Sequence, residues 1–150
     1  MALSNAQARQ DLLDALGEAA DEIGHALSAL GAAYEQLDET TGDRLEEALF
    51  RPVQAAYGRV RRTHSEFAGR VGLPTREFVA PGAAHGQARA HVDEAVEALR
   101  RADDRLSVLQ DSMLPVEFGD RELRAGLAEV RAAIGVLPGR ARELTRTLGR

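Results

Sequence analysis

The side chains able to move protons, hold metals or grip anions in this chain are four histidines, 24 carboxylates and 19 basic residues, all of them arginine. Cysteine is absent, which excludes thiol nucleophiles, thiolate metal sites and disulfides. Glu22 and His25 stand three apart, a helical spacing at which two side chains can grip one metal ion, and Glu18 lies one turn before them. Arg59 and His64 stand five apart. His85 and His91 bracket the start of a helical stretch beside Asp93 and Glu94, at a spacing that matches no zinc signature. Arg59, Arg61, Arg62, Arg70 and Arg76 make one segment locally basic, but the net charge of -5 argues against nucleic acid as a partner. The glycines lie inside helical patterns, and neither a phosphate-cradling loop nor a nucleophile elbow is present.

Two of these constellations resemble known families. Glu22-x-x-His25 resembles the motif of ferritin-like carboxylate bundles, which implies a metal held by Glu18, Glu22 and His25. Those bundles carry two such motifs, and this chain carries one. Arg59-Val-Arg-Arg-Thr-His64 is similar to the Arg-x4-His spacing of the HEPN-type ribonucleases, which are helical and dimeric. That resemblance implies RNA cleavage by Arg59 and His64. This chain departs from the family in placing Val60 after the arginine, and His64 also falls on an apolar seam.

The elements that must position these residues are written in three-four spacing. Leu13, Leu16, Ala20, Ile23, Leu27, Leu30, Tyr34 and Leu37 form the first seam, opened by Ser4 and Gln7 as a capping box. Phe50, Val53, Tyr57, Val60, His64, Phe67 and Val71 form the second, with Pro52 near its start. Val92, Ala95, Leu99, Ala102, Leu106, Leu109 and Met113 form the third. Leu123, Leu127, Val130, Ile134, Leu137, Ala141, Leu144 and Leu148 form the fourth, and its register runs across Pro138, which predicts a kink without a break. On the flanks of the first seam lie Gly17, Gly24 and Gly31 at strict spacing of seven, opposite Ala19, Ala26 and Ala33. Glycine inside a helix costs about 1 kcal/mol relative to alanine, so three in register indicate a close approach by another backbone.

These patterns predict a single all-α domain, an elongated antiparallel up-down-up-down four-helix bundle of two long hairpins. Its helices are expected at about 5–38, 43–72, 84–113 and 120–148. The segments alternate in net charge, -7 over 1–42, +3 over 43–76, -2 over 84–115 and +2 over 116–150, which predicts attraction between sequential neighbours. The function expected is non-enzymatic: a structural or interaction protein that forms a homo-oligomer, a dimer, through Gly17, Gly24, Gly31, Ala19, Ala26 and Ala33, or binds another protein. No cofactor is implied. No apolar run reaches the ~20 residues of a membrane span, and residues 1–7 lack the features of a signal peptide. The expected location is cytoplasmic, with signal-peptide-independent secretion an alternative. The HEPN-like ribonuclease and the metal-binding bundle are the alternative functions.

Overall fold

The computed structural model describes residues 4–148; the N-terminal expectation rests in part on residues 1–3, which lie outside them. Among the described residues every regular element is helical: α1 (Asn5–Tyr34), α2 (Glu39–Leu45), a π-helical turn (Glu46–Phe50), α3 (Arg51–Val71), α4 (Ala88–Asp111), α5 (Leu114–Glu117), α6 (Arg121–Gly135) and α7 (Leu137–Thr145). None of these helices is long and apolar enough to cross a membrane.

Helix boundaries follow the caps. Ser4 opens α1, its hydroxyl accepting from the Gln7 amide at 3.1 Å, while the Gln7 side chain turns away to Asp11 at 2.8 Å. Asp38 caps α2 through the Thr41 amide at 2.7 Å, so helix resumes at Glu39, ahead of the expected start at Asp43. The π turn ends at Arg51, whose amide reaches back to the Glu46 carbonyl; Pro52, which has no amide to donate, sits in the first turn of α3 where that loss costs least. Gly72 ends α3 at φ 72°, with the Leu73 amide closing on the Ala68 carbonyl at 2.9 Å. The fourth seam breaks where a kink was expected: α6 stops at Gly135 and α7 begins at Leu137, because Pro138 cannot continue the hydrogen-bond ladder.

The apolar seams meet in one continuous core. Leu12, Leu13, Leu16, Ile23 and Leu30 of α1 are fully buried, and each such side chain contributes roughly 1.5–3 kcal/mol on removal from water. Two seam positions at helix ends, Tyr34 and Met113, are instead exposed.

The long helices pack against one another, but not in the expected order. Helix α1 lies against α3 and α4, and α6 lies against the same two. Along α1 the contacts Gly31–Phe50, Gly24–Tyr57 and Gly17–His64 run in opposite senses, so α3 is antiparallel to α1. The contacts His25–Glu94, Glu22–Arg101 and Glu18–Arg105 make α4 antiparallel to α1 as well. Arg59–Glu129 and Arg70–Asp120 then set α6 antiparallel to α3. The senses are therefore up, down, down, up, in place of up-down-up-down. Two successive down helices require the chain to travel back, and residues 72–87 do this as a strap. At ~3.3 Å per residue the strap can span ~50 Å, against ~45 Å for a 30-residue helix.

Net segment charge named only some of the neighbours: the oppositely charged pairs α1–α3 and α4–α6 do pack, but so do two like-signed pairs. The two net-acidic segments, α1 and α4, share the most extensive contact, joined by Arg101 to Glu22 and by Arg105 to Glu18 at 2.7 Å. The two net-basic segments are joined by Arg59–Glu129 at 2.8 Å and Arg70–Asp120 at 2.6 Å. Individual facing charges decide such pairing, and a segment total does not contain them.

Candidate functional site

One glycine of α1, Gly24, is the seat of a ring of α3, and Gly17 and Gly31 fall opposite two further rings. A Cβ at Gly24 would stand 3.1 Å from two atoms of the Tyr57 ring, and one at Gly31 would stand 3.9 Å from Phe50. At Gly17 it would stand 3.7 Å from His64 Nε2 and 2.7 Å from Arg76 Nη1. Phe50 at the end of the π turn and Tyr57 and His64 of α3 are themselves seven apart, so these rings fall opposite the heptad-spaced glycines of α1. The close approach expected from the glycine spacing is thus made by side chains of the same chain. Ala19, Ala26 and Ala33 on the other flank are also fully buried within the chain. Of the six residues assigned to an oligomer contact, five are buried within the chain and Gly31 is half-buried.

His64 is the chemically distinctive member of this ladder. It is 3% exposed, and its Nδ1 is buried with no hydrogen-bond partner. Its ring meets Phe78 of the strap edge-to-face at 5.2 Å and 87°. Arg76, also on the strap, stacks over Phe78 at 4.5 Å and grips Asp21 through two contacts of 2.6 and 2.8 Å. The strap is therefore pinned to α1 by an ion pair and to α3 by rings. A cavity of about 520 Å³ opens here, bounded by Asp14, Asp21, His64, Thr75 and Arg76 among others. With the Arg76 guanidinium held by Asp21, the arrangement offers a neutral imidazole beside an ion pair, which suits packing better than phosphate chemistry.

Burial is the first cause holding the His64 imidazole below its usual range, and the Arg76 guanidinium is the second; the Leu13 carbonyl, Asp14 and Asp21 pull upward without cancelling them. The native state then binds fewer protons than the unfolded chain between the lowered folded value and the unfolded value of ~6.5. Stability from this site is complete above that upper limit and is lost as pH falls through the window. A thermal melt from about pH 8 down to pH 5 should fall more steeply for the wild type than for His64→Phe, which keeps a ring against Phe78. Parallel curves would remove the proton-linked role of His64.

The remaining sequence candidates are dispersed. Arg59 turns to α6, where its Nε donates to Glu129 at 2.8 Å and its Nη1 to the Thr63 hydroxyl at 3.0 Å, while His64 faces α1 and the strap. Five residues along a helix amount to about 140° of rotation, which is why this Arg-x4-His pair does not converge. Glu18 and Glu22 are engaged by Arg105 and Arg101, and His25 Nε2 lies 2.8 Å from Glu94 Oε1. The three therefore meet three different partners on α4 and share no centre. His25, His85, His91 and Glu94 do line one cavity of about 400 Å³ beneath the strap. Among the described residues, however, no group of three or more histidine, aspartate or glutamate side chains is arranged to hold a metal ion. Sequence reasoning missed the meeting of His25 with His85 and His91, since it depends on the return path of the strap.

The chain matches no known protein family, no curated protein and no solved structure.

Proposed function

We propose that this chain is a non-enzymatic interaction protein: a helical body that associates with a second copy of itself through the corner where α4 passes into α5. The observation that supports this reading is the placement of Val108, Met113 and Val116. These three apolar side chains are 71%, 57% and 61% exposed within nine residues of one another, although the core beneath them is already continuous. Exposed apolar side chains this close together in sequence favour a protein contact. Most of the helix 1 glycine and alanine positions are buried within the chain, which favours this corner over that face. Its surroundings carry both signs of charge, with Asp104, Asp111 and Glu117 exposed near Arg121. A two-fold contact sets this patch against its own copy, with an apolar centre and a charged rim.

The test is sedimentation of the wild type and of a Val108→Asp/Val116→Asp double variant. The wild type is expected to show a dimer mass that rises with concentration, and the variant a monomer mass with a melt shifted by no more than about 0.5 kcal/mol per substitution. A wild type that stays monomeric at the highest attainable concentration would defeat self-association. A variant that still dimerises would defeat the assigned corner.

A further inference from the structure

Of the five arginines that make α3 and the strap basic, three are engaged inside the fold: Arg59 by Glu129, Arg70 by Asp120 and Arg76 by Asp21. Arg61 and Arg62 have no carboxylate partner among the described residues. Both lie on the exposed side of α3, and together with Arg76 they line an open groove of about 820 Å³ between that helix and the strap. Arg61 is preset there. Its Nε donates to the Tyr57 carbonyl at 3.3 Å and its guanidinium stacks 4.3 Å from the centre of the Tyr57 ring, which leaves the terminal N–H groups free. The Ser65 hydroxyl adds a donor, and Phe78 forms an apolar wall. Gly58 keeps the floor low, with nothing within 4 Å of the place a Cβ would take. Glu77 is the one carboxylate among the groove's lining residues.

We propose that this groove binds a phosphate monoester borne on a small organic group. Guanidinium groups pair with phosphate oxygens through parallel charge-assisted hydrogen bonds, and two unpaired arginines beside a third supply such donors from two directions. The Phe78 wall gives the organic portion an apolar surface. A small ester fits better than nucleic acid, because the chain as a whole is net acidic at -5 and the groove is short. The proposal uses neither the Val108 corner nor self-association, so it stands or falls separately.

Calorimetric titration of the full chain with phenyl phosphate, inorganic phosphate and a short oligouridylate tests it. Phenyl phosphate is expected to bind saturably, and Arg61→Gln/Arg62→Gln is expected to weaken it by about tenfold or more. Arg89→Gln, an exposed arginine elsewhere, should leave the affinity unchanged. Tighter binding of phenyl phosphate than of inorganic phosphate supports the ester, whereas inorganic phosphate binding as tightly would overturn the role given to the organic portion and the Phe78 wall. Absence of saturable binding by either, unchanged affinity in Arg61→Gln/Arg62→Gln, or binding of the oligouridylate alone overturns it. A circular dichroism melt of each variant separates lost binding from lost fold, since both arginines are exposed and contribute little to stability.

Discussion

Leucine at Gly126 lowers the unfolding free energy by roughly 3 kcal/mol or more, the upper part of the range for overpacked cores. Gly126 lies on the face of α6 that meets α3, where Arg59–Glu129 and Arg70–Asp120 flank the contact. A Cβ placed there collides with the Thr63 hydroxyl oxygen, lies 2.7 Å from Thr63 Cγ2 and 3.1 Å from Thr63 Cβ. Thr63 cannot swing aside cheaply. Its hydroxyl donates to the Arg59 carbonyl at 2.8 Å and accepts from Arg59 Nη1 at 3.0 Å, and a β-branched side chain in a helix has few rotamers. The clash must therefore be relieved by separating the two helices, which opens the core around Val60, Phe67, Leu123 and Leu127. Gly135 in the same helix provides the contrast, since nothing stands within 4 Å of its missing Cβ. Gly135→Leu should leave stability unchanged or raise it by up to about 1 kcal/mol, because leucine is the stronger helix former and meets nothing there. Thermal melts of the two variants decide the matter, and equal melting temperatures would refute the close α3–α6 approach.

The apolar seams were legible because burial imposes a helical period on sequence whatever the neighbour is. Leu13, Leu16, Ile23 and Leu30 bear this out in α1, as do Val53, Val60 and Phe67 in α3. Direction was not legible in the same way. A seam reads identically whether its helix runs up or down, and nothing local to α4 records that it descends beside α1. The length of the 72–87 connection held that information, since a hairpin between adjacent antiparallel helices needs only a few residues. The charge pattern misled for a related reason: Arg101 and Arg105 face α1 from a segment whose total is acidic. Candidate chemistry was the least legible. Arg59 and His64 are close in sequence and diverge in space, whereas His25, His85 and His91 are far apart in sequence and line one cavity. Convergence of that kind depends on the path of the strap, which no local spacing encodes.

Gly24→Leu is expected to destabilise the chain by about 2–3 kcal/mol while leaving its mass in solution unchanged. The absent Cβ at Gly24 already falls within 3.1–3.2 Å of two ring atoms and the hydroxyl oxygen of Tyr57, and a leucine adds three further carbons along that direction. Tyr57 is confined on its other side, where Arg61 stacks on the ring at 4.3 Å, and it is 6% exposed. The ring must leave its seat, and with it goes the middle rung of the Phe50, Tyr57 and His64 ladder that holds α3 against α1. A second substitution makes the argument specific. Tyr57→Ala alone vacates the seat and should cost about 3–5 kcal/mol, the range for removing a large aromatic from a core. Combined with Gly24→Leu it gives the new side chain the vacated volume, so the double variant should be more stable than the sum of the single losses implies. A coupling of about 1 kcal/mol or more in that cycle is the signature of direct contact between the two positions. Additive losses would place Gly24 and Tyr57 out of contact. A loss of oligomer mass in Gly24→Leu, with stability intact, would instead return the glycine face of α1 to an intermolecular role and move Tyr57 out of its seat.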